Sequence, residues 1–383
     1  MKPQKIAIIS THPIQYNAPF FRLLGQQAGI ELRVFYTWQQ AQSSIYDPTF
    51  GHVREWDIPL LEGYDYCFLK NTAKKPGSHH FWGMVNPDAI ATIEQWQPDV
   101  VCVYGWSFWS HLQIMRYFKG KIPVWFRGDS TLINGHRGWK QQIRKWILQR
   151  IYRYVDVALY VGSHNKAYFR SSGLQEKQLV HVPHAIDNQR FGEDRTCEVI
   201  QLRNNLKLQN CDTLILFAGK FFDKKDPLRL LEAFKKVANM RLHLLFCGNG
   251  PLESALKTAA QGMENVHFMD FQNQTRMPVL YQACDVFCLP SVSETWGLAL
   301  NEAMAAGRAV IASNKCGGAI DLIEQGATGW IFPANDTEAL VKILELLTIK
   351  QFDLATMGKA AKKRIANWSY EKGIANIIRE TTP

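Results

Sequence analysis

Six short apolar runs in the second half of the chain limit the possible folds more than any other feature: Thr213–Ala218, Leu242–Cys247, Val266–Met269, Val286–Leu289, Ala309–Ala312 and Gly329–Phe332. Each is continuously apolar rather than alternating, as expected of parallel strands covered on both faces. Stretches of helical pattern separate them, among them Pro227–Ala238, Pro251–Ala260, Met277–Ala283 and one near Ala319–Glu324. Strand and helix in strict alternation predict an α/β fold with a doubly wound parallel sheet.

The first half repeats this plan less regularly. Lys5–Ser10, a helix from about Ala18 to Gln27, and Glu31–Tyr36 form a β-α-β start. No G-x-G-x-x-G follows the first strand, so a dinucleotide fingerprint is not supported. Residues 38–98 are irregular and hold Phe81-Trp82-Gly83; they read either as an acceptor-side region or as a structural insertion. Alternation resumes with Asp99–Tyr104, a helix over Ser107–Phe118, and Pro123–Phe126. A helix to Tyr154, Val157–Val161, a helix capped by Ser163, and Val180–Pro183 complete it. A chain of 383 residues exceeds what one core supports, so two domains are predicted. The polar stretch after Phe191 sets the bounds at 1–195 and 196–365, with residues 366–383 as a helix packing back on the first domain.

The formal net charge of +10 is unevenly placed. Residues 1–190 hold 22 Lys and Arg against 13 Asp and Glu, whereas residues 191–383 hold 22 against 21. The first half is therefore expected to meet something anionic: nucleic acid, anionic lipid or a phosphorylated acceptor. No helix-turn-helix, zinc-finger or RNA-recognition signature accompanies the charge, which makes nucleic acid the weakest of the three. The helix expected over Arg137–Tyr154 places Trp139, Ile143, Trp146, Ile147, Ile151 and Tyr154 in one stripe, with Lys140, Arg144, Lys145 and Arg153 away from it. Such a stripe either packs on the sheet or lies on an anionic membrane surface. The eight cysteines form no C-x-x-C pair and read as buried small hydrophobes in a reducing compartment. With no apolar run of about 18 residues and no signal-like start, the expected location is cytoplasmic, either soluble or peripheral on the inner face of the membrane.

Chemistry concentrates in two stretches. Val286–Leu289 leads into Pro290-Ser-Val-Ser-Glu294-Thr-Trp296-Gly297-Leu298-Ala-Leu-Asn-Glu302, which places two carboxylates around a glycine at a helix start. Helix amides would face an anion there, and the carboxylates would accept from hydroxyls on either side of it. The strand Thr213–Ala218 ends in Gly219-Lys220, with Lys225 five positions on; a glycine and lysines at the carboxyl end of a parallel strand lie where open α/β sheets bind ligands.

Together these stretches resemble the retaining glycosyltransferases of family 4: Gly219-Lys220, Lys225, Glu294 with Glu302, and Cys316-Gly317-Gly318 follow that family's pattern. Val182-Pro183, Asp187, Phe191, and the Gly248-Asn249-Gly250-Pro251 turn match as well, so the resemblance covers residues 160–335 and thins in the first half to His12-Pro13-Ile14-Gln15-Tyr16. It implies a GT-B fold, with two Rossmann-like domains facing a central cleft, the donor on the second and the acceptor on the first. It further implies that Lys220 and Lys225 bind the donor diphosphate, Glu294 the sugar hydroxyls and Glu302 the ribose. The backbone at Gly297-Leu298 would meet the phosphate, Phe271 and Gln272 the base, and Trp296 would fill an aromatic position of the donor site. Two departures stand out. Thr11-His12-Pro13 replaces a glycine pair, and Arg127-Gly128-Asp129 replaces a His-Asp pair, leaving Asp129 to keep the catalytic role. His12, Tyr16 and Arg127 are then acceptor-side candidates. No D-x-D occurs, so no metal or other cofactor is expected beyond the nucleotide-sugar co-substrate. A sugar-nucleotide epimerase, a phosphorylase and a non-catalytic nucleotide-sugar sensor are the alternative readings.

Overall fold

The computed structural model of the chain describes residues 2–41, 45–47, 52–54, 56–133, 139–349 and 351–381. Its contacts divide it into two units, Met1–Pro183 with Tyr370–Pro383, and His184–Ser369.

The first unit is built on seven parallel strands. In chain order these are β1 (Gln4–Ser10), α1 (Ala18–Gly25), β2 (Ile30–Tyr36), a small antiparallel ladder of β3 (Ile45–Asp47) with β4 (His52–Arg54), and β5 (Asp65–Phe68). Then follow α2 (Ala89–Trp96), β6 (Val100–Tyr104), α3 (Trp109–Phe118), β7 (Val124–Arg127), α4 (Trp139–Tyr152), β8 (Val157–Tyr160), α5 (Ser163–Ser171) and β9 (Leu179–His181). The sheet order is β5-β2-β1-β6-β7-β8-β9, so the winding reverses between β1 and β6. Ala7, Ile9, Val101, Val103 and Phe126 from the central strands meet Ile93, Ile114 and Met115 from the helices in one core. Within the stretch read as irregular, β5 pairs with β2 and α2 buries Ala89, Ile93 and Trp96. The strand was hidden because it is an edge strand with two exposed positions, so its apolar signal is weak. Gly162 rather than Ser163 occupies the cap of α5.

In α4 the expected stripe divides. Of its residues only Ile151 is buried and Tyr154 is half-buried, whereas Trp139, Ile143, Trp146 and Ile147 stay exposed; Leu148 and Tyr152, outside the expected stripe, are buried beside Ile151. Residues 137 and 138 of that predicted helix lie outside the described residues.

The second unit begins with α6 (Asn188–Gly192) and α7 (Thr196–Asn205), ahead of its first strand. Asp187 caps α6 by accepting from the Arg190 amide at 3.0 Å, and the Arg190 guanidinium donates to the carbonyl and side chain of Gln274 at 2.7 and 2.8 Å. Phe191 is fully buried between these ties. The sheet follows as β10 (Thr213–Ala218), α8 (Pro227–Val237), β11 (Leu242–Cys247), α9 (Glu253–Ala259), β12 (Val266–Met269), α10 (Met277–Ala283) and β13 (Val286–Leu289). It continues with α11 (Leu298–Ala305), β14 (Ala309–Ser313), α12 (Ala319–Leu322), β15 (Gly329–Phe332), α13 (Thr337–Thr348) and α14 (Leu354–Ile365). Six parallel strands in the order β12-β11-β10-β13-β14-β15 reverse their winding between β10 and β13. Every residue of β13 and β14 is buried, which is why these runs carry no alternation.

The chain then returns to the first unit as α15 (Tyr370–Thr381). There the Tyr370 hydroxyl donates to the Tyr16 carbonyl at 3.0 Å and the Asn376 amide to the His181 carbonyl at 2.7 Å. Both units are Rossmann-like parallel-sheet folds, as the alternation of apolar runs predicts.

Candidate functional site

In open α/β sheets a crevice forms at the carboxyl edge where the winding reverses, because the loops of the two flanking strands diverge there. In the second unit those strands are β10 and β13, and the loops after them carry Gly219–Asp226 and Pro290–Gly297. Backbone bonds fasten one to the other: the amides of Val292 and Ser293 donate to the Lys224 carbonyl at 2.9 and 3.3 Å. The loop after β14 closes from the far side. Glu294 donates its amide to Lys315 and accepts from Gly317, and Trp296 accepts from Gly318, all between 2.8 and 3.1 Å. The approach is so close that a Cβ at Gly317 would stand 1.8 Å from the Thr295 carbonyl oxygen. Gly297, with φ +94°, then turns the chain into α11 in a conformation that side chains disfavour.

These constraints bring the charged side chains together. The Lys225 ammonium, at the end of a single turn of 3-10 helix, forms an ion pair with the Glu294 carboxylate, and both groups are mostly buried. Lys220 lies on the same loop, its ammonium 5.8 Å from the centre of the Phe222 ring. Behind Glu294, burial pushes the Cys316 thiol up to about 12, so this cysteine is a neutral filler rather than a nucleophile.

Trp296 is only 3% exposed. Its indole N–H donates to Asn301 at 2.9 Å, and the Asn301 amide donates to the His184 carbonyl at 2.9 Å. The ring therefore holds the loop to α11 and to the start of the unit. Glu302, one position beyond Asn301, is 4% exposed and accepts from the Tyr281 hydroxyl at 2.7 Å. Neither Asn301 nor Tyr281 was a candidate from sequence. The available signal for Asn301 was an Asn-Glu pair inside the otherwise apolar helix Leu298–Ala305; nothing local marked Tyr281, whose partner is on another helix. Leu298 is half-buried at the first position of α11. Phe271, exposed, and Gln272, half-buried, follow β12 on the same edge of the sheet, with the Gln272 amide donating to the Asp270 carbonyl at 3.1 Å.

The remaining candidates belong to the first unit and follow its strands at the corresponding edge. His12, after β1, is bonded through Nδ1 to the Thr11 hydroxyl at 2.9 Å and sets its ring edge-on to Trp38; burial lowers its pKa to about 4. Tyr16 is half-buried, and its carbonyl receives the Tyr370 hydroxyl. Asp129 is half-buried beyond β7. Arg127 donates to the carbonyls of Val182 and Pro183 at 2.8 and 3.2 Å, which makes it a brace for the chain after β9. A buried histidine that sequence did not single out, His111, bonds the Thr37 hydroxyl at 2.9 Å and the Gly105 carbonyl at 2.8 Å, joining the ends of β2 and β6. Among the described residues, no group of three or more His, Cys, Asp or Glu side chains is placed to hold a metal ion.

With this geometry in hand, two family models account for most of the chain. Residues 27–190 match Glycosyltransferase Family 4, and residues 199–364 match Glycosyl transferases group 1. The chain belongs to this glycosyltransferase family. Curated relatives include an uncharacterized glycosyltransferase of Methanocaldococcus jannaschii, 28% identical over 189 residues, or 48% of this chain and 47% of the relative. Another is the GDP-mannose-dependent alpha-(1-6)-phosphatidylinositol monomannoside mannosyltransferase of Mycobacterium tuberculosis, 24% identical over 259 residues, 64% of this chain and 66% of the relative. The matched stretches thus span between about half and two thirds of the length of these relatives. Among solved structures, HepE of Anabaena in complex with UDP superimposes with a TM-score of 0.75 at 15% identity, covering 99% of both chains. That likeness assigns the GT-B fold to this member of the family.

Proposed function

We propose that this chain is a retaining glycosyltransferase that moves a sugar from a UDP- or GDP-linked donor to a glycan or lipid-linked acceptor in surface polysaccharide or glycolipid biosynthesis. The observation that carries the reading is the Lys225–Glu294 pair, joined across the reversal of the second sheet beside Gly219, Lys220 and the amino-terminus of α11.

The chemistry follows from charge. As the bond between the anomeric carbon and the diphosphate breaks, negative charge grows on the leaving oxygens. Lys220, Lys225 and the Gly297-Leu298 amides interact more strongly with that charge than with the bound donor, which lowers the barrier. Glu294, held by Lys225 in the resting site, accepts from sugar hydroxyls while the ammonium turns to the diphosphate. The acceptor oxygen attacks on the face that the diphosphate leaves, and a departing phosphate oxygen takes the acceptor's proton, which preserves the anomeric configuration. In this reading the lysines carry the neutralisation that a divalent metal would otherwise supply. Phe271 offers open ring surface to the base, with Gln272 beside it. Glu302 serves the ribose, though at 4% exposure and with the Tyr281 hydroxyl on its carboxylate it offers little open surface. Trp296 acts by holding the loop. Asp129, His12 and Tyr16 lie on the acceptor-side unit; the imidazole of His12, neutral at pH 7, can accept from an acceptor hydroxyl. Relatives described with GDP-mannose and with UDP support a nucleotide-sugar donor and leave both bases in play.

A thermal-shift screen of nucleotide sugars tests the donor, because a ligand of the folded state raises the melting temperature with the logarithm of its concentration over its Kd. One UDP- or GDP-sugar should stand out and, given an acceptor, yield a glycoside with retained configuration. Interconversion or phosphorolysis of sugars without any acceptor would sink the reading.

A further inference from the structure

We infer that the exposed face of α4 docks on an anionic lipid surface. The helix carries two apolar faces. Leu148, Ile151 and Tyr152 pack on the first unit, as any amphipathic helix packs on its sheet. Trp139, Ile143, Trp146 and Ile147 are 70%, 48%, 55% and 41% exposed, and their spacing of four, three and one positions gathers them in an arc about 100° wide on the opposite side. Four large apolar side chains in one stripe form a patch rather than a scatter, and such patches mark interaction surfaces.

Charge identifies the occupant. Between Asp129 and Asp156 the sequence holds six Lys and Arg and no Asp or Glu. Arg144 and Lys145 are exposed on α4, and the Arg150 guanidinium stands 3.9 Å from the centre of the exposed Trp146 ring. A second copy of this chain is disfavoured, because two such surfaces would repel. A polyanion such as nucleic acid accounts for the cations but gives no task to Ile143 and Ile147. An anionic bilayer surface uses both: indole and aliphatic groups enter the boundary between headgroups and acyl chains, while guanidinium and ammonium groups reach lipid phosphates. A Trp with an Arg over its ring suits that boundary, since one side chain is half apolar and the other stays at the headgroups. Among the described residues no helix is long and apolar enough to cross a membrane, so the contact is with the surface. The first unit, where the excess positive charge lies, would be the unit held against the bilayer. This inference stands on exposure and charge and is independent of the transfer reaction.

Co-sedimentation of the full chain with vesicles of equimolar phosphatidylcholine and phosphatidylglycerol, against phosphatidylcholine alone, tests it. The expected result is binding to the mixed vesicles that weakens with salt, and little binding to the neutral ones. Trp146→Ser with Ile147→Ser should weaken partitioning about tenfold or more while lowering the melting temperature only slightly, because both side chains are outside the core. Arg150→Glu, which reverses the cation lying over Trp146, should weaken it by a similar factor and flatten its salt dependence. Equal binding to both vesicle types, binding to neither, or tighter binding to duplex nucleic acid than to mixed vesicles would overturn the inference. So would a Trp146, Ile147 variant that keeps full partitioning, since cations alone would then explain the contact.

Discussion

At the reversal of winding, the first sheet ends in His12, Thr37 and His111, whereas the second ends in Gly219, Lys220, Lys225 and Glu294. The scaffold is the same in both cases. In the first unit, the Gly105 carbonyl fixes the proton on His111 Nδ1, Nε2 accepts from the Thr37 hydroxyl, and burial lowers the pKa to about 4. Thr37 and His111 are thus neutral and bonded to one another. In the second unit a lysine and a glutamate face one another as a mostly buried ion pair, so both groups there carry charge. A fold supplies a crevice, and the side chains decide whether that crevice can respond to charge.

The largest effects should separate the two crevices. Lys225→Ala and Glu294→Ala are each expected to lower kcat by about 10²–10³, on the order of 3–4 kcal/mol, as for removal of a preorganised electrostatic partner. His12→Ala should cost less than about tenfold, the worth of one neutral hydrogen bond. Turnover of the donor found by thermal shift measures all three, and equal losses would break the comparison.

A smaller effect concerns backbone. Gly317→Ala drives a methyl into the Thr295 carbonyl and should cost about 2–3 kcal/mol together with the donor-induced thermal shift. Gly105→Ala meets open space and only the strain of φ +78°, about 1 kcal/mol, and should leave the donor shift intact. Denaturation and donor titration of the two variants read this contrast directly.

The smallest concerns protons. His111 binds a proton in the folded chain only near pH 4 but near the ordinary histidine value of 6.5 when unfolded. Between those values the unfolded state holds the extra proton, so stability is fully present above pH 6.5 and declines as pH falls through the window. The share of the loss from pH 7 to pH 5 that belongs to His111 should be about 2 kcal/mol, with His12 adding a similar share. His111→Gln should be less stable at pH 7 yet lose less on acidification; an unchanged pH slope would show that His111 is not the group responsible.

Legibility in sequence tracked burial. The strands of the second sheet could be read because they are apolar on both faces, and Lys220, Lys225, Glu294 and Gly297 because their residue types stand out at strand ends. Edge strand β5 and helix α7, of which only Leu202 is buried, gave too little pattern to read. Partners across the fold were invisible as well. Tyr281 meets Glu302 and Asn301 meets His184 through contacts that no local spacing encodes. For α4 the helix was legible but its packing face was not: Leu148, Ile151 and Tyr152 are buried, and of these only Ile151 belongs to the expected stripe.

The route of the chain has a consequence for how the molecule is made. Residues 1–183 leave the ribosome first, yet α15, whose Tyr370 and Asn376 bond Tyr16 and His181, is made only after the whole of the second unit. A Cβ at Gly373 would stand 3.2 Å from Phe20 and Val182, so this last helix seats closely on surfaces formed at the beginning. The first unit is thus begun before the second and completed after it. Until α15 is made, its seat beside Tyr16 and His181 stays unfilled.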